Sequence, residues 1–463
     1  PNLNYCDVKV RLNHPGAADD VLVEVVLPLS RDGWNGRFQA QGGGGFATGL
    51  FDLMFGKALQ TGYAAASTDG GHDGLKNMVD LSWALKDDYS KTINWPLLQN
   101  FATRSLPDLV HVGKSITAQY YGEKPHHSYW NGCSQGGRQG LVMAQKYPGM
   151  LDGILAEAPA ASLTHLLMAG FWPQIVMKEK GLWLSNCELD YFGQKAMEVC
   201  DIRDGFRDNV INDPEECVFD ERELVEDKIE CDGTEVEITY EMARVVRMIR
   251  QGPNTLVAGT IWHGVPQGVD YKPWANISIS AEGRRGSPWG IAASFIKNLL
   301  LKDPSFSLSS LNRTEYLELW TQASVEYGWI LDGDNPDLSA FRAVGGKLLS
   351  WHGMSDQIIP YANAIQYRNR VEMEMGGPKA TNEFYRLFLA PGVKHCMGGS
   401  GPVPTDPLAQ LVDWVEKGEA PETLEASMMN EEYDLVTRDV CLYPKKAKYM
   451  GVSDPKRASS WSC

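Results

Sequence analysis

The segment Gly132-Cys133-Ser134-Gln135-Gly136 constrains this chain more than any other. It follows a strand-like stretch, His126 to Trp130, and precedes a helical pattern from Gln135 to Tyr147. A G-x-S-x-G turn in that setting lifts a serine clear of a strand end, because the flanking glycines allow a turn that larger residues would block. Alone, the pattern arises often by chance, and its bland reading is an ordinary strand-to-helix turn whose serine caps the helix. Strand-like runs at Asp7 to Leu12, Val21 to Leu27, Arg37 to Gln41 and Gly62 to Thr68 precede it, and a helical pattern runs from Pro96 to Tyr121. Another strand follows at Gly153 to Ala156, and alternation of this kind predicts a parallel α/β sheet.

From about Ala160 to Gly345 the alternation lapses into an acidic, aromatic stretch of short elements holding four of the nine cysteines. It resumes with strands at Lys347 to Trp351 and Phe384 to Ala390 and an amphipathic helix, Pro407 to Lys417, with Leu408, Leu411, Val412 and Val415 on one face. At 463 residues the chain exceeds what one core usually organises. The expected arrangement is a catalytic α/β domain of residues 1–159 and 346–463 with residues 160–345 inserted as a lid. No run of 18 apolar residues spans a membrane, and no basic-then-apolar leader follows Pro1. Lys+Arg 43 against Asp+Glu 59 gives a net charge of -16, which repels nucleic acid and anionic membranes.

A serine needs a base to take its proton and a carboxylate to orient that base. After the strand at Lys347 to Trp351 comes His352-Gly353-Met354-Ser355-Asp356, and after Phe384 to Ala390 comes Pro391-Gly392-Val393-Lys394-His395-Cys396. Ser134, Asp356 and His395 then fall in the Ser…Asp…His order of an α/β-hydrolase fold. His352, His72 and the pair His126-His127 do not follow the acid's strand as the base must. Asp356 also reads as a cap for the turn before Ile358-Ile359-Pro360. An oxyanion needs two backbone donors. The Gln135 amide is one candidate, and the run Gly42-Gly43-Gly44-Gly45 offers the other, at Gly43 or its neighbour Gly44.

Two further features are local. Asp201, Asp204 and Asp208 surround Gly205 in a loop that suits either Ca²⁺, through hard oxygen ligands, or an aspartate-capped turn. Asn276-Ile277-Ser278 and Asn312-Arg313-Thr314 are glycosylation sequons, so Asn276 and Asn312 are candidate glycan sites. No C-x-x-C pair or zinc-like Cys/His spacing occurs, and the cysteine content favours disulfides in a secreted protein.

With Cys133-Ser134, Asp356 and His395-Cys396 in place, together with Trp34-Asn35-Gly36-Arg37 and the glycine run, the chain resembles the tannase and feruloyl esterase family along nearly its whole length. The resemblance implies a disulfide between Cys133 and Cys396, tying nucleophile to base. It implies a structural calcium ion in the lid, held by the side chains of Asp201, Asp204 and Asp208 and the carbonyls of Phe206 and Val210. It also implies the pairs Cys200 to Cys217 and Cys441 to Cys463, leaving Cys187 and Cys231 for each other and Cys6 for an upstream partner. The implied activity is that of a secreted serine carboxylesterase acting on a small aromatic ester, foremost a hydroxycinnamoyl (feruloyl) ester of plant cell wall sugars. Gallate esters are the alternative. A non-catalytic binding protein on the same scaffold is disfavoured by the complete set of catalytic residue types, and the resemblance argues against a peptidase.

Overall fold

The computed structural model describes residues 3–76, 78–88, 90–231, 233–255, 259–451 and 453–463. Eight strands form one sheet: β1 (Tyr5–Leu12), β2 (Val21–Pro28), β3 (Arg37–Gln41), β4 (Ala64–Thr68), β5 (His127–Cys133), β6 (Gly153–Glu157), β7 (Lys347–Gly353) and β8 (Tyr385–Ala390). Their order is β1-β2-β4-β3-β5-β6-β7-β8. β1 pairs antiparallel with β2 and β2 antiparallel with β4, and every later pairing is parallel. This is the α/β-hydrolase arrangement, covered by helices on both faces.

On one face, α2 (Ser105–Tyr121), α3 (Gln135–Lys146) and α4 (Ala362–Met375) bury Leu106, Val110, Leu141 and Tyr367 against Phe38, Trp130, Ile154 and Leu348. On the other, α1 (Asp52–Gln60) and α5 (Pro407–Lys417) bury Phe55, Leu411 and Trp414 against Tyr129, Leu155, Leu349 and Phe388. The bounds of α5 match the sequence pattern because Asp406 caps its first turn, Pro407 opens it and Gly418 closes it at φ 75.

The pattern from Pro96 to Tyr121 is not one regular helix. A wide turn at Asn100–Arg104 separates a short helix at Trp95–Gln99 from α2. The side chain of Asn100 donates to Asp19 at 2.7 Å, and the Ser105 hydroxyl reaches back five residues to the Asn100 carbonyl at 2.8 Å. These contacts, one of them with a residue far away in sequence, open the helix where its periodicity is uninterrupted.

The described residues between β6 and β7 form a largely helical layer over the carboxyl ends of the strands, with a core of Leu167, Trp172, Ile175, Phe295 and Tyr316. That core also takes in Phe46, Leu81, Ala84, Ile93, Leu98 and Phe101, so the layer is broader than the inserted segment expected from the sequence. Arg138 of α3 fastens the layer to the sheet. Fully buried, it donates to the Leu331 carbonyl at 2.8 Å, to the Ala102 carbonyl at 3.1 Å and to Gln135 Oε1 at 2.8 Å. Replacing it strands these buried acceptors, each at about 1–3 kcal/mol. Arg138→Met is expected to lower the free energy of unfolding by about 3 kcal/mol, read from the denaturant midpoint; an unchanged midpoint would show that the layer does not depend on this contact.

Candidate active site

β5 ends in the turn that carries Ser134, whose backbone lies at φ 62, ψ -121, a strained conformation for a side chain other than glycine. A Cβ on Gly132 would sit 2.6 Å from the backbone of Gly136, and one on Gly136 would sit 2.9 Å from the Gly43 carbonyl oxygen. The turn therefore closes only with glycine at these positions, and the Gly136 amide then reaches Gly43 O at 3.0 Å. The Ser134 amide is held by the Glu157 carbonyl at 2.9 Å, and α3 begins at the next residue.

Asp356 lies just beyond β7 and is almost wholly buried. Its Oδ1 accepts the amides of Ile358 and Ile359, both at 2.8 Å, so it does cap the turn before Pro360. Its Oδ2 lies 2.7 Å from Nδ1 of His395 in the loop after β8. Burial pushes the Asp356 carboxyl up, but the charge of His395 and hydrogen bonds from His352 and His395 outweigh it and hold the group well below the usual carboxylate range. His352, considered above only as a base, has a different place. Fully buried at the end of β7, its Nε2 lies 3.1 Å from Asp356 Oδ2 and 2.9 Å from the Ile359 carbonyl. It steadies the acid from beneath, a role that sequence order alone does not reveal. His72 is buried against Trp83 with Nε2 at 2.8 Å from the Phe46 carbonyl, and His126 and His127 face each other at the amino ends of the strands.

Four disulfides join Cys133 to Cys396, Cys187 to Cys231, Cys200 to Cys217 and Cys441 to Cys463, and Cys6 is free in β1. The first spans 263 positions and links the residue before Ser134 to the residue after His395. Cys396 itself has φ 63, and at the other end of the bond the strained residue is Ser134, next to Cys133.

Ser134 and His395 line one cleft of about 480 Å³. Leu163, Leu166, Leu167, Trp289, Ile291 and Ile358 make its apolar wall, and Glu157 is the acidic side chain among its described lining residues. Burial pushes the Glu157 carboxyl up to about 7. Of the seven tryptophans in the inserted segment, Trp289 is the one among the described lining residues. Trp172 and Trp274 lie in the core, whereas Trp329 is 66% exposed.

The glycine run departs from expectation. The Gly43 amide donates to Gln139 Oε1 at 2.9 Å and the Gly44 amide to the Ala47 carbonyl at 3.2 Å. Gly43 is therefore not an available oxyanion donor: the Gln139 side chain, which gives its own Nε2 to the Thr48 carbonyl at 3.0 Å, has taken its N–H. Gln135 fits better, since its amide opens α3 and its side-chain Nε2 is buried without a partner beside the cleft.

In the acidic loop, Asp201 accepts the amides of Asp208, Asn209 and Val210 at 3.2, 3.1 and 3.3 Å. Asp204 Oδ1 accepts the Phe206 amide at 3.0 Å, while Asp204 Oδ2 and Asp208 Oδ1 are buried with no hydrogen-bond partner. The other Asp208 oxygen meets the Arg438 guanidinium. Burial pushes Asp204 up to about 6 and raises Asp208 as well. Two buried, unpaired carboxylate oxygens in an all-oxygen setting fit a hard cation such as Ca²⁺. Asp204 and Asp208 with the Phe206 and Val210 carbonyls would hold it, and Asp201, which shapes the loop by accepting three amides, keeps lone-pair capacity on Oδ2 to join them. Among the described residues, the trio whose ligand atoms lie within 4.8 Å of one another is His126, His127 and Glu416 rather than the three aspartates.

Asn312 is exposed and caps the helix Arg313–Gln322, its side chain accepting the Glu315 amide at 3.0 Å. Asn276 is half-buried, its Oδ1 taken by Asn186 at 3.1 Å. Among the described residues no helix is long and apolar enough to cross a membrane.

Because Asp204 is raised, metal-free folded protein binds protons more readily than the unfolded chain, and this contribution to stability falls as pH rises from about 4 to about 6. A Ca²⁺ ion held there would need the ionised carboxylate and would offset that loss. Adding Ca²⁺ to chelator-treated protein is expected to raise Tm, and by more at about pH 7 than at about pH 5. Superimposable melting curves at both pH values would leave the loop as a capped turn.

The family model described as "Tannase and feruloyl esterase" matches residues 6–463. A probable feruloyl esterase of Arthroderma benhamiae is 43% identical over 100% of this chain and 86% of its own length, and a tannase of Aspergillus oryzae is 28% identical over 99% and 87%. Among solved structures, a tannin acyl hydrolase from Aspergillus niger superposes with a TM-score of 0.90 at 25% identity, covering 100% of this chain and 88% of that one. With its serine turn, buried acid and disulfide-tethered histidine, this chain belongs to the tannase and feruloyl esterase family.

Proposed function

We propose that this protein is a serine carboxylesterase that hydrolyses esters of phenolic acids, with hydroxycinnamoyl esters such as ferulates as its substrates. Ser134 Oγ attacks the ester carbonyl while His395 Nε2 takes its proton, and Asp356 keeps the imidazole in the required tautomer and stabilises its charge. The developing oxyanion is met by the Gln135 amide at the amino end of α3, where the helix dipole favours negative charge. His395 returns the proton to the departing alcohol, and water then releases the phenolic acid from the acyl-enzyme. Ca²⁺, where bound, acts structurally on the loop that packs against the C-terminal segment through Arg438 and Tyr449. Four disulfides and an exposed sequon at Asn312 support an extracellular, oxidising setting.

The observation that carries this reading is the wall beside Ser134: Leu163, Leu166, Leu167, Trp289 and Ile291 offer an apolar slot suited to a ring with a propenyl spacer. A gallate-preferring reading is favoured by one feature, the Glu157 carboxyl, which is placed in the cleft wall to accept hydroxyls of a trihydroxylated ring. Side-by-side hydrolysis of methyl ferulate, methyl caffeate and methyl gallate separates the two. Ferulate or caffeate is expected to give the higher kcat/KM, and Ser134→Ala is expected to lower turnover at least about a thousandfold with the fold intact. A preference of about tenfold for gallate, ~1.4 kcal/mol in transition-state binding, would move the assignment to tannase. Near wild-type turnover by Ser134→Ala would overturn the mechanism.

A further inference from the structure

The apolar wall beside Ser134 has a reverse side. Leu163, Leu166 and Leu167 line the catalytic cleft, and further along the same stretch Phe171, Ile175 and Lys178 line a second cleft, of about 420 Å³. The other half of the wall is built alike: Trp289 and Ile291 line the catalytic cleft, while Pro288, Ala293 and Lys297 line the second.

The two clefts differ in charge. The second is lined by Lys178, Arg285 and Lys297, with no carboxylate among its described lining residues. In a chain of net charge -16 such a cluster runs against the prevailing sign, and little of it is neutralised. Lys178 Nζ donates to the carbonyls of Ser310 and Leu311, both at 2.7 Å, and Lys297 has no carboxylate partner among the described residues. Arg285 meets Glu282 at 3.8 Å, but both side chains are exposed and such a pair holds weakly. Cations of one sign around a concavity with apolar walls focus the potential and select an anion.

The rest of the lining narrows the choice of anion. Trp183 is half-buried, and its ring packs against the hairpin of Ile277–Ser280 and Gly283–Gly286. A Cβ on Gly286 would lie 2.8 Å from that ring and 2.1 Å from Gln174 Oε1, so the strand carrying Arg285 closes on Trp183 only with glycine there. Gln174 is itself fixed by its Nε2 bonds to the carbonyls of Trp274 and Asn276, at 3.2 and 3.0 Å. An inorganic anion would leave the indole and the neighbouring Leu308 and Leu311 unused. An aromatic carboxylate uses both parts of the lining, its ring against the apolar surface and its charge towards the cations. The corresponding ester has no charge to offer.

We propose that this cleft behind the acyl wall is a second ligand site, which takes an aromatic carboxylate, the class of acid that the reaction itself releases, in preference to the uncharged ester. That the ligand is a product rests on the esterase reading given above, whereas the binding chemistry does not.

The test titrates the full chain calorimetrically with ferulate, methyl ferulate and sulfate at about pH 7, where the acid is ionised. Each titration is repeated after Ser134 has been capped with phenylmethanesulfonyl fluoride. The capped protein is expected to bind one ferulate per chain, at least about tenfold tighter than it binds methyl ferulate or sulfate. Lys297→Gln is expected to weaken this binding about tenfold and to leave hydrolysis of methyl ferulate unchanged. Arg285→Gln, at an exposed position, repeats the test should Lys297→Gln fail to fold. No saturable binding of ferulate by the capped protein, equal binding of the ester, or binding unaltered in both variants overturns the site. Sulfate bound as tightly as ferulate overturns the aromatic class of the ligand. Absence of methyl ferulate hydrolysis by the wild-type protein overturns the esterase reading instead, and the ferulate titrations still report the site.

Discussion

The close approach of two adjacent strand ends governs this molecule. β3 and β5 are hydrogen-bonded neighbours, and beyond their carboxyl ends the chain must turn in both without separating. A Cβ on Gly42 would lie 2.5 Å from Gly136 Cα, so the two turns interlock only because neither carries a side chain there. Gln139, one turn into α3, locks the arrangement by taking the Gly43 amide and donating to Thr48 O. The strained backbone of Ser134 is sustained by this interlock. Strain of roughly 1–3 kcal/mol at one residue persists only when its surroundings overdetermine it.

The second half of the site arrives from far away in the chain, and it is anchored differently. His395 follows β8, and the whole inserted segment separates it in sequence from Ser134. Two constraints bring it back: the Cys133 to Cys396 bond and Asp356, whose carboxylate receives His395 on one oxygen and two backbone amides on the other. The apolar wall is similarly fixed. Leu163, Leu166 and Leu167 belong to a helix sunk in a core that also holds Leu98 and Phe101 from before β5. The wall is therefore preformed, since swinging the layer away would expose residues contributed by both segments.

These distinctions also explain what could be read from the sequence. Ser134, Asp356 and His395 were legible because each follows a strand, and strands announce themselves by composition over a handful of residues. The bounds of α5 were legible because its cap, opening proline and closing glycine are all local. The occupation of the Gly43 amide was not, because it is set by a side chain 96 positions away. Nor was the support from His352, since a histidine at a strand end looks alike whether it faces solvent or a buried carboxylate. The wide turn at Asn100–Arg104 and the recruitment of Leu81, Ala84, Ile93, Leu98 and Phe101 into the upper core escaped for the same reason: both follow from tertiary contacts that leave the local periodicity unchanged.

Arg138 joins the two anchoring systems. Burial pulls its guanidinium down to about 10, yet at neutral pH it remains a cation, and the donors described above are spent on carbonyls of the upper layer and on Gln135 Oε1. A cation bonded to one end of an amide polarises the other, and in a poorly screened interior that effect is larger than in water. Gln135 Nε2, left without a partner beside the cleft, is thereby made a stronger donor and held in place by the same contact. The residue that ties the helical layer to the sheet thus also prepares a donor next to the nucleophile, so a single side chain contributes both to the packing of the upper layer and to the electrostatics beside Ser134.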